Sequence, residues 1–143
     1  MYPTIRKQYR DFPAGHRQHL HDGHCSKIHG HDWGFDLVLG CSEYDEFGFV
    51  LDFGKMKFVK EWLEHMFDHT LLLSKDDPLL PYLQSVMANC ADIRVVDSVS
   101  CEGLSRMVFT EINTRIRSLT KDRAFLVSLT VHEDSKNSAT FCP

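Results

Sequence analysis

The stretch His29-Gly-His-Asp-Trp-Gly-Phe-Asp-Leu-Val-Leu39 decides how the chain reads. If it is a regular strand, His29, His31, Trp33, Phe35, Leu37 and Leu39 share one face, and Gly30, Asp32, Gly34, Asp36 and Val38 share the other. Two imidazoles at i and i+2 then stand on the same side, about 7 Å apart along the chain. They continue an apolar face, where unpaired imidazoles would be costly.

Outward from this strand the pattern changes period twice. Upstream, residues 4–14 suggest a strand of weaker alternation, with FPAGH ending at His16. Downstream, EYDEFG reads as a turn and FVLDF as a short extended piece. From about 53 to 67 the apolar residues Met56, Val59, Trp62, Leu63, Met66 and Phe67 make a helical stripe, with Asp52 placed as its cap. The segment SKDDP breaks the chain at 74–78, and Pro81 is expected to keep the following residues irregular. IRVV at 93–96 fits a short strand. Ser100 is placed to cap a second helix with the stripe Leu104, Met107, Val108, Ile112, Ile116 and Leu119. After the turn TKDR, residues 125–133 alternate again, with Phe125, Val127, Leu129, Val131 and Glu133 on one face, and a last strand fits 138–142. Helices segregated from mostly antiparallel strands imply an α+β layer fold.

The bulk numbers bound the function. A chain of 143 residues carries a prior of one domain, here taken as 1–143. Hydrophobic residues at 43% and charged residues at 25% are ordinary for a globular protein. A net charge of -4 argues against a broad electrostatic interface with nucleic acid or anionic membrane, while leaving room for a local basic pocket. No apolar run is long enough to span a bilayer, and MYPTIRKQYRDF lacks the apolar core of a signal peptide. The expected location is therefore cytoplasmic. Five cysteines without framework spacing argue for free thiols in that setting.

Nine histidines are the anomaly, and six of them fall between positions 16 and 31. His29 and His31 need a third partner to hold a metal, and His16, at the end of the preceding strand, is placed to supply it. Three neutral nitrogens with an open fourth position suit a catalytic Zn2+. Iron, nickel and copper accept the same donors. His19, His21 and His24 lie in a polar loop, where solvent or substrate contact is more natural. Cys25 admits two readings: a fourth ligand closing a structural site, or a thiol free to approach a metal-bound substrate.

FPAGH, Cys25 and the following HGH, taken with VLDFGKMK (50–57), FDHTLLL (67–73), SCEGL (100–104) and VHED (131–134), resemble the 6-pyruvoyl-tetrahydropterin synthase and 6-carboxytetrahydropterin synthase family. The resemblance runs in order over nearly the whole chain. It implies His16, His29 and His31 as zinc ligands. Cys25 would be the general base, aided by Asp68 and His69 from a neighbouring subunit. Glu133 would anchor the pterin, with Ser100, Cys101 and Glu102 lining the same pocket. It implies the tunnelling fold, a four-stranded antiparallel sheet with two helices on one face, and a homo-hexamer built as a dimer of trimers. Glu133 ends an apolar strand face, and a carboxylate can accept together the N–H and amino group on the edge of a pterin.

The implied reaction is that of a zinc-dependent lyase. 7,8-Dihydroneopterin triphosphate would become 6-carboxy-5,6,7,8-tetrahydropterin, a step toward queuosine, or in the other branch lose triphosphate to give 6-pyruvoyl-tetrahydropterin. The compact chain inclines the reading to the first. A non-catalytic metal- or pterin-binding module and a cupin-like metal oxygenase are the rivals, the latter needing more strands and no pair of long helices. SCEGL departs from the family's usual second-helix start, residues 75–97 run long, and Phe141 stands where tyrosine is frequent. These differences bear on substrate choice. Arg17 and Lys27 are the basic residues near the cluster for a phosphate.

Overall fold

The computed structural model describes residues 2–143; residue 1 of the expected 1–143 domain lies outside the described residues. Nine regular elements follow in order: strands β1 (Ile5–His16) and β2 (His29–Cys41), helix α1 (Lys57–Phe67), strand β3 (Thr70–Ser74), helix α2 (Leu80–Val86), strand β4 (Asp92–Val96), helix α3 (Cys101–Thr120), and strands β5 (Ala124–His132) and β6 (Ser138–Phe141). Short 3-10 turns lie at His24–Ser26 and Phe53–Met56.

The sheet has six strands in the order β4-β3-β1-β2-β5-β6. This corrects the expected four-stranded antiparallel sheet with two helices: β1–β3 and β3–β4 are parallel, and there are three helices. Of the two extra strands, β4 contains the short strand expected at 93–96, whereas β3 was hidden for a physical reason. All five residues of Thr70–Ser74 are buried, so the strand reads as a continuous apolar run without alternation, as strands buried on both faces do. The extra helix was hidden by Pro81, which lies in its first turn, where a missing N–H removes no helical bond.

The weak alternation of β1 also has a cause. Its pairing with β2 slips between Tyr9 and Phe12, where Asp11 adopts a left-handed φ of 70°. This bulge resets the phase, so Tyr9, Phe12, Ala14 and His16 all turn inward. A second slip opposite Val38 and Leu39 interrupts β5. Leu126 then faces the core while Val127 stands exposed, so the expected unbroken face from Phe125 to Glu133 is corrected there.

Helices α1 and α3 cover one face of the sheet. Val59, Leu63 and Phe67 of α1 and Leu104, Val108, Ile112 and Ile116 of α3 are buried against Phe35, Leu37, Leu39, Leu129 and Val131. Each such side chain contributes about 1.5–3 kcal/mol. Ser100 caps α3 by accepting from the Gly103 amide at 3.0 Å, whereas Asp52 caps the 3-10 turn before α1 through Gly54. Leu119, expected in the α3 stripe, is 51% exposed. No helix among the described residues is long and apolar enough to cross a membrane.

Candidate metal centre

The antiparallel register of β1 and β2 builds the centre. His16 pairs directly with His29, and Ala14 with His31, so the last residue of one strand meets the first residues of the next. The ring nitrogens that His16, His29 and His31 offer lie within 4.8 Å of one another. Nε2 of His16 and Nε2 of His29 are 3.0 Å apart. Trp33, fully buried, forms the floor, with edge-on ring contacts at 5.1 Å to His16 and 5.5 Å to His31. Its indole N–H donates to the Ala14 carbonyl, which fixes the ring across the strand pair.

Backbone carbonyls orient two of the imidazoles. Nδ1 of His16 lies 2.9 Å from the Val99 carbonyl oxygen, and Nδ1 of His29 lies 2.7 Å from that of Lys27. A carbonyl only accepts, so each Nδ1 carries the proton and each Nε2 presents a lone pair inward. Burial pulls the His16 imidazole down to about 4, against the Val99 hydrogen bond, with His29 and His31 adding to the fall. It is uncharged at neutral pH, as a metal ligand must be. Nε2 of His31 is buried with no hydrogen-bond partner. Converging lone pairs and an orphaned buried nitrogen are unfavourable by themselves and fit a divalent cation held by the three Nε2 atoms. His19, His21 and His24 lie outside this group.

The other expected site residues fall into three places. Cys25 sits in the 3-10 turn His24–Ser26, partly exposed and outside the imidazole group. Arg17 holds this turn: its guanidinium donates to the Ser26 carbonyl at 2.8 Å and pairs with both oxygens of Asp77 at 2.5 and 2.8 Å. The Asp77 side chain is fully buried and that of Arg17 is 13% exposed. Three of the five guanidinium N–H groups are thereby engaged inside the protein, which weighs against Arg17 as a phosphate ligand; Lys27 is exposed.

Glu133 follows β5 directly, and its carboxylate stands against the imidazoles. Its Oε1 lies 3.5 Å from Nε2 of His16 and 3.4 Å from Nε2 of His31. Cys101, at the start of α3, donates its thiol to the Val131 carbonyl at 3.2 Å. Burial, then the charge of Glu133, pushes that thiol up to about 11, so it stays protonated at neutral pH. Ser100 hydrogen bonds to Ser98 at 2.9 Å and caps α3, while Glu102 is exposed in the first turn.

Asp68 and His69 form the third place. Asp68 ends α1, and His69 takes a left-handed φ of 56°. Its amide donates to the Pro13 carbonyl at 2.7 Å. The sharp turn lets adjacent residues meet, with Nδ1 of His69 2.7 Å from Oδ1 of Asp68. The His69 side chain is 83% exposed. His69 and His31 line one open groove together with Gly15, Gly30, Asp32 and Thr70. The Arg17–Asp77 pair was not legible beforehand, because its partners are sixty residues apart and Asp77 lies in the segment SKDDP, which reads only as a breaker.

The sequence profile described as 6-pyruvoyl tetrahydropterin synthase matches residues 4–143. A 6-carboxy-5,6,7,8-tetrahydropterin synthase of Rickettsia felis is 40% identical over 68 residues, 47% of this chain and 49% of that protein. Over this match the chain spans about half the length of the relative. The enzyme of the same name from Aquifex aeolicus is 25% identical over 130 residues, covering 78% of this chain and 80% of its own. Among solved structures, an uncharacterized protein from Wolinella succinogenes superposes with a TM-score of 0.82 at 21% identity, covering 98% of this chain and 97% of its own. The 6-pyruvoyl tetrahydropterin synthase of Caenorhabditis elegans gives 0.63 at 20% identity, over 100% and 99% of the two chains. At such identities these two likenesses concern the fold.

Proposed function

The chain belongs to the 6-pyruvoyl tetrahydropterin synthase family, and from this premise we propose that it is a zinc-dependent lyase converting 7,8-dihydroneopterin triphosphate to 6-carboxy-5,6,7,8-tetrahydropterin. The observation that carries the reading is the convergence of three imidazole nitrogens within 4.8 Å, two of them locked by backbone carbonyls. The choice of product follows the relatives that bear the name 6-carboxy-5,6,7,8-tetrahydropterin synthase.

Bound by His16, His29 and His31, Zn2+ would act as a Lewis acid toward the hydroxyls of the substrate side chain. The chain's own residues do the rest. Glu133 accepts the paired N–H groups of the pterin edge and sets the ring's distance from the imidazoles. Cys25 takes and returns a proton at the side-chain carbon, from a turn that Arg17 keeps in place. His69, oriented by Asp68, relays a proton at the side-chain oxygen. With 83% of its side chain exposed, His69 is free to serve the site of an adjoining copy. The assembly proposed is a hexamer, located in the cytoplasm, of single-domain subunits.

Mass spectrometry of the products formed from 7,8-dihydroneopterin triphosphate tests the proposal. A 6-carboxy product with triphosphate and acetaldehyde supports it. A 6-pyruvoyl product moves the chain to the other branch, and no product at all refutes the enzyme.

A further inference from the structure

Glu133 is held where a substrate anchor alone has no need to be. Its amide donates to the Asn137 carbonyl at 3.0 Å, closing the turn into β6. The Asp134 side chain accepts from the Lys136 and Asn137 amides at 2.8 and 2.7 Å, which stiffens the same turn. The turn delivers the Glu133 carboxylate against the His cluster, with Oε1 3.5 and 3.4 Å from two of the three inward nitrogens.

That contact is not a hydrogen bond. Nδ1 of His16 is committed to the Val99 carbonyl, so its Nε2 has a lone pair and no proton to offer. Nε2 of His31, though 3.4 Å from Oε1, has no hydrogen-bond partner. A carboxylate oxygen set against the His16 lone pair, and not hydrogen bonded to the neighbouring His31 nitrogen, is unfavourably placed unless a cation stands between. The spacing agrees with that arrangement: ligands each about 2.0–2.1 Å from a tetrahedral zinc lie roughly 3.3–3.4 Å from one another. Cys25, the other candidate fourth ligand, is outside the group of converging atoms.

We propose that Glu133 is the fourth metal ligand of the resting protein, and that the pterin ring draws it away when substrate binds. This rests on the reading of the three histidines as a metal site and of Glu133 as the pterin anchor, and adds that one carboxylate serves both in turn. Ring recognition thereby frees a coordination position at the moment the substrate's side-chain hydroxyls arrive. Before that, the metal is closed to adventitious ligands.

The test uses the whole protein loaded with Co2+, whose visible absorption reports coordination, and zinc affinity measured by chelator competition. Glu133→Gln should change the Co2+ spectrum and weaken Zn2+ roughly tenfold or more. Glu133→Asp, a shorter carboxylate, should restore part of both. Adding 6-methylpterin, which has no hydroxylated side chain, should change the wild-type spectrum and leave that of Glu133→Gln unaltered. A Glu133→Gln protein with wild-type spectrum and affinity overturns the ligand role while leaving the three-histidine site intact. Failure of the wild-type protein to bind either ion overturns the site and the inference with it.

Discussion

His16 and His29 turn their Nε2 atoms toward each other at 3.0 Å while their Nδ1 atoms are bound to the carbonyls of Val99 and Lys27. Two lone pairs so placed suit a cation, with the tautomers already chosen. The expected stoichiometry is about one zinc per chain by elemental analysis. His29→Ala and His31→Ala should each lose most of it, and full retention in both would refute the assignment. His16→Ala should also cost stability, because the ring is fully buried against Trp33.

Cys25→Ala should keep its metal and lose turnover. The thiol lies outside the group of converging nitrogens, on a turn anchored by Arg17. Zinc content and rate are measured on the same preparation. A variant that loses zinc makes Cys25 a ligand, and one that keeps its rate removes it from the chemistry.

Asp77→Asn should destabilise the protein by roughly 1–3 kcal/mol near neutral pH, since it leaves the largely buried Arg17 guanidinium without its counter-charge. The hydrogen bond from Arg17 holds the Asp77 carboxyl below its usual range. A depressed carboxyl stabilises the fold above its unfolded value of about 3.9, and the contribution disappears as pH falls through the folded value. Urea unfolding should therefore show a wild-type advantage at pH 7 that shrinks below about pH 4. An advantage that is independent of pH would exclude the charge of Asp77 as its source.

Much of this was open to a reader of the sequence, and the rest was hidden for identifiable reasons. His29, His31, Trp33 and Phe35 announce their shared face, because β2 is regular from its start and period two survives intact. β1 conceals its face, because the bulge at Asp11 shifts the phase between Tyr9 and Phe12. TLLLS conceals a strand because it is buried on both sides, and alternation requires one wet face. Val127 stands outside the core face it shares by alternation, because a slip in pairing leaves no trace in the apolar pattern. Within the site, the grouping of three histidines follows from local spacing. The contacts of Arg17 with Asp77 and of Glu133 with His16 and His31 join residues far apart in the chain, and no periodicity encodes them.

Light scattering should find an oligomer, expected at six times the 16.5 kDa chain. β3 meets β1 only at Ala14–His16, so the flank of β1 from Ile5 to Phe12 facing that side has no strand partner among the described residues. An open edge of that length invites pairing with another copy. Dilution that yields monomers should abolish activity if Asp68 and His69 serve a neighbour's site. A fully active monomer would refute the shared site.

Glu133 and Glu102 are the two candidates for holding the pterin ring of the proposed substrate, and their surroundings separate them. Glu102 is exposed in the first turn of α3, where the helix dipole favours an acid whatever its task. The Glu133 side chain is 22% exposed and stands against His16 and His31, and its charge adds to burial in pushing up the Cys101 thiol. A ring held by Glu133 would therefore lie within reach of the metal centre. Glu133→Gln should forfeit about 1.5–3 kcal/mol per charged hydrogen bond, a fall in affinity of roughly tenfold or more. Glu102→Gln should change affinity little. Both are compared as binding of 7,8-dihydroneopterin triphosphate in a Cys25→Ala background with zinc in excess, so that turnover and metal loss do not intrude. Unchanged affinity in Glu133→Gln with a large loss in Glu102→Gln would move the anchor to α3 and turn the ring away from the imidazoles.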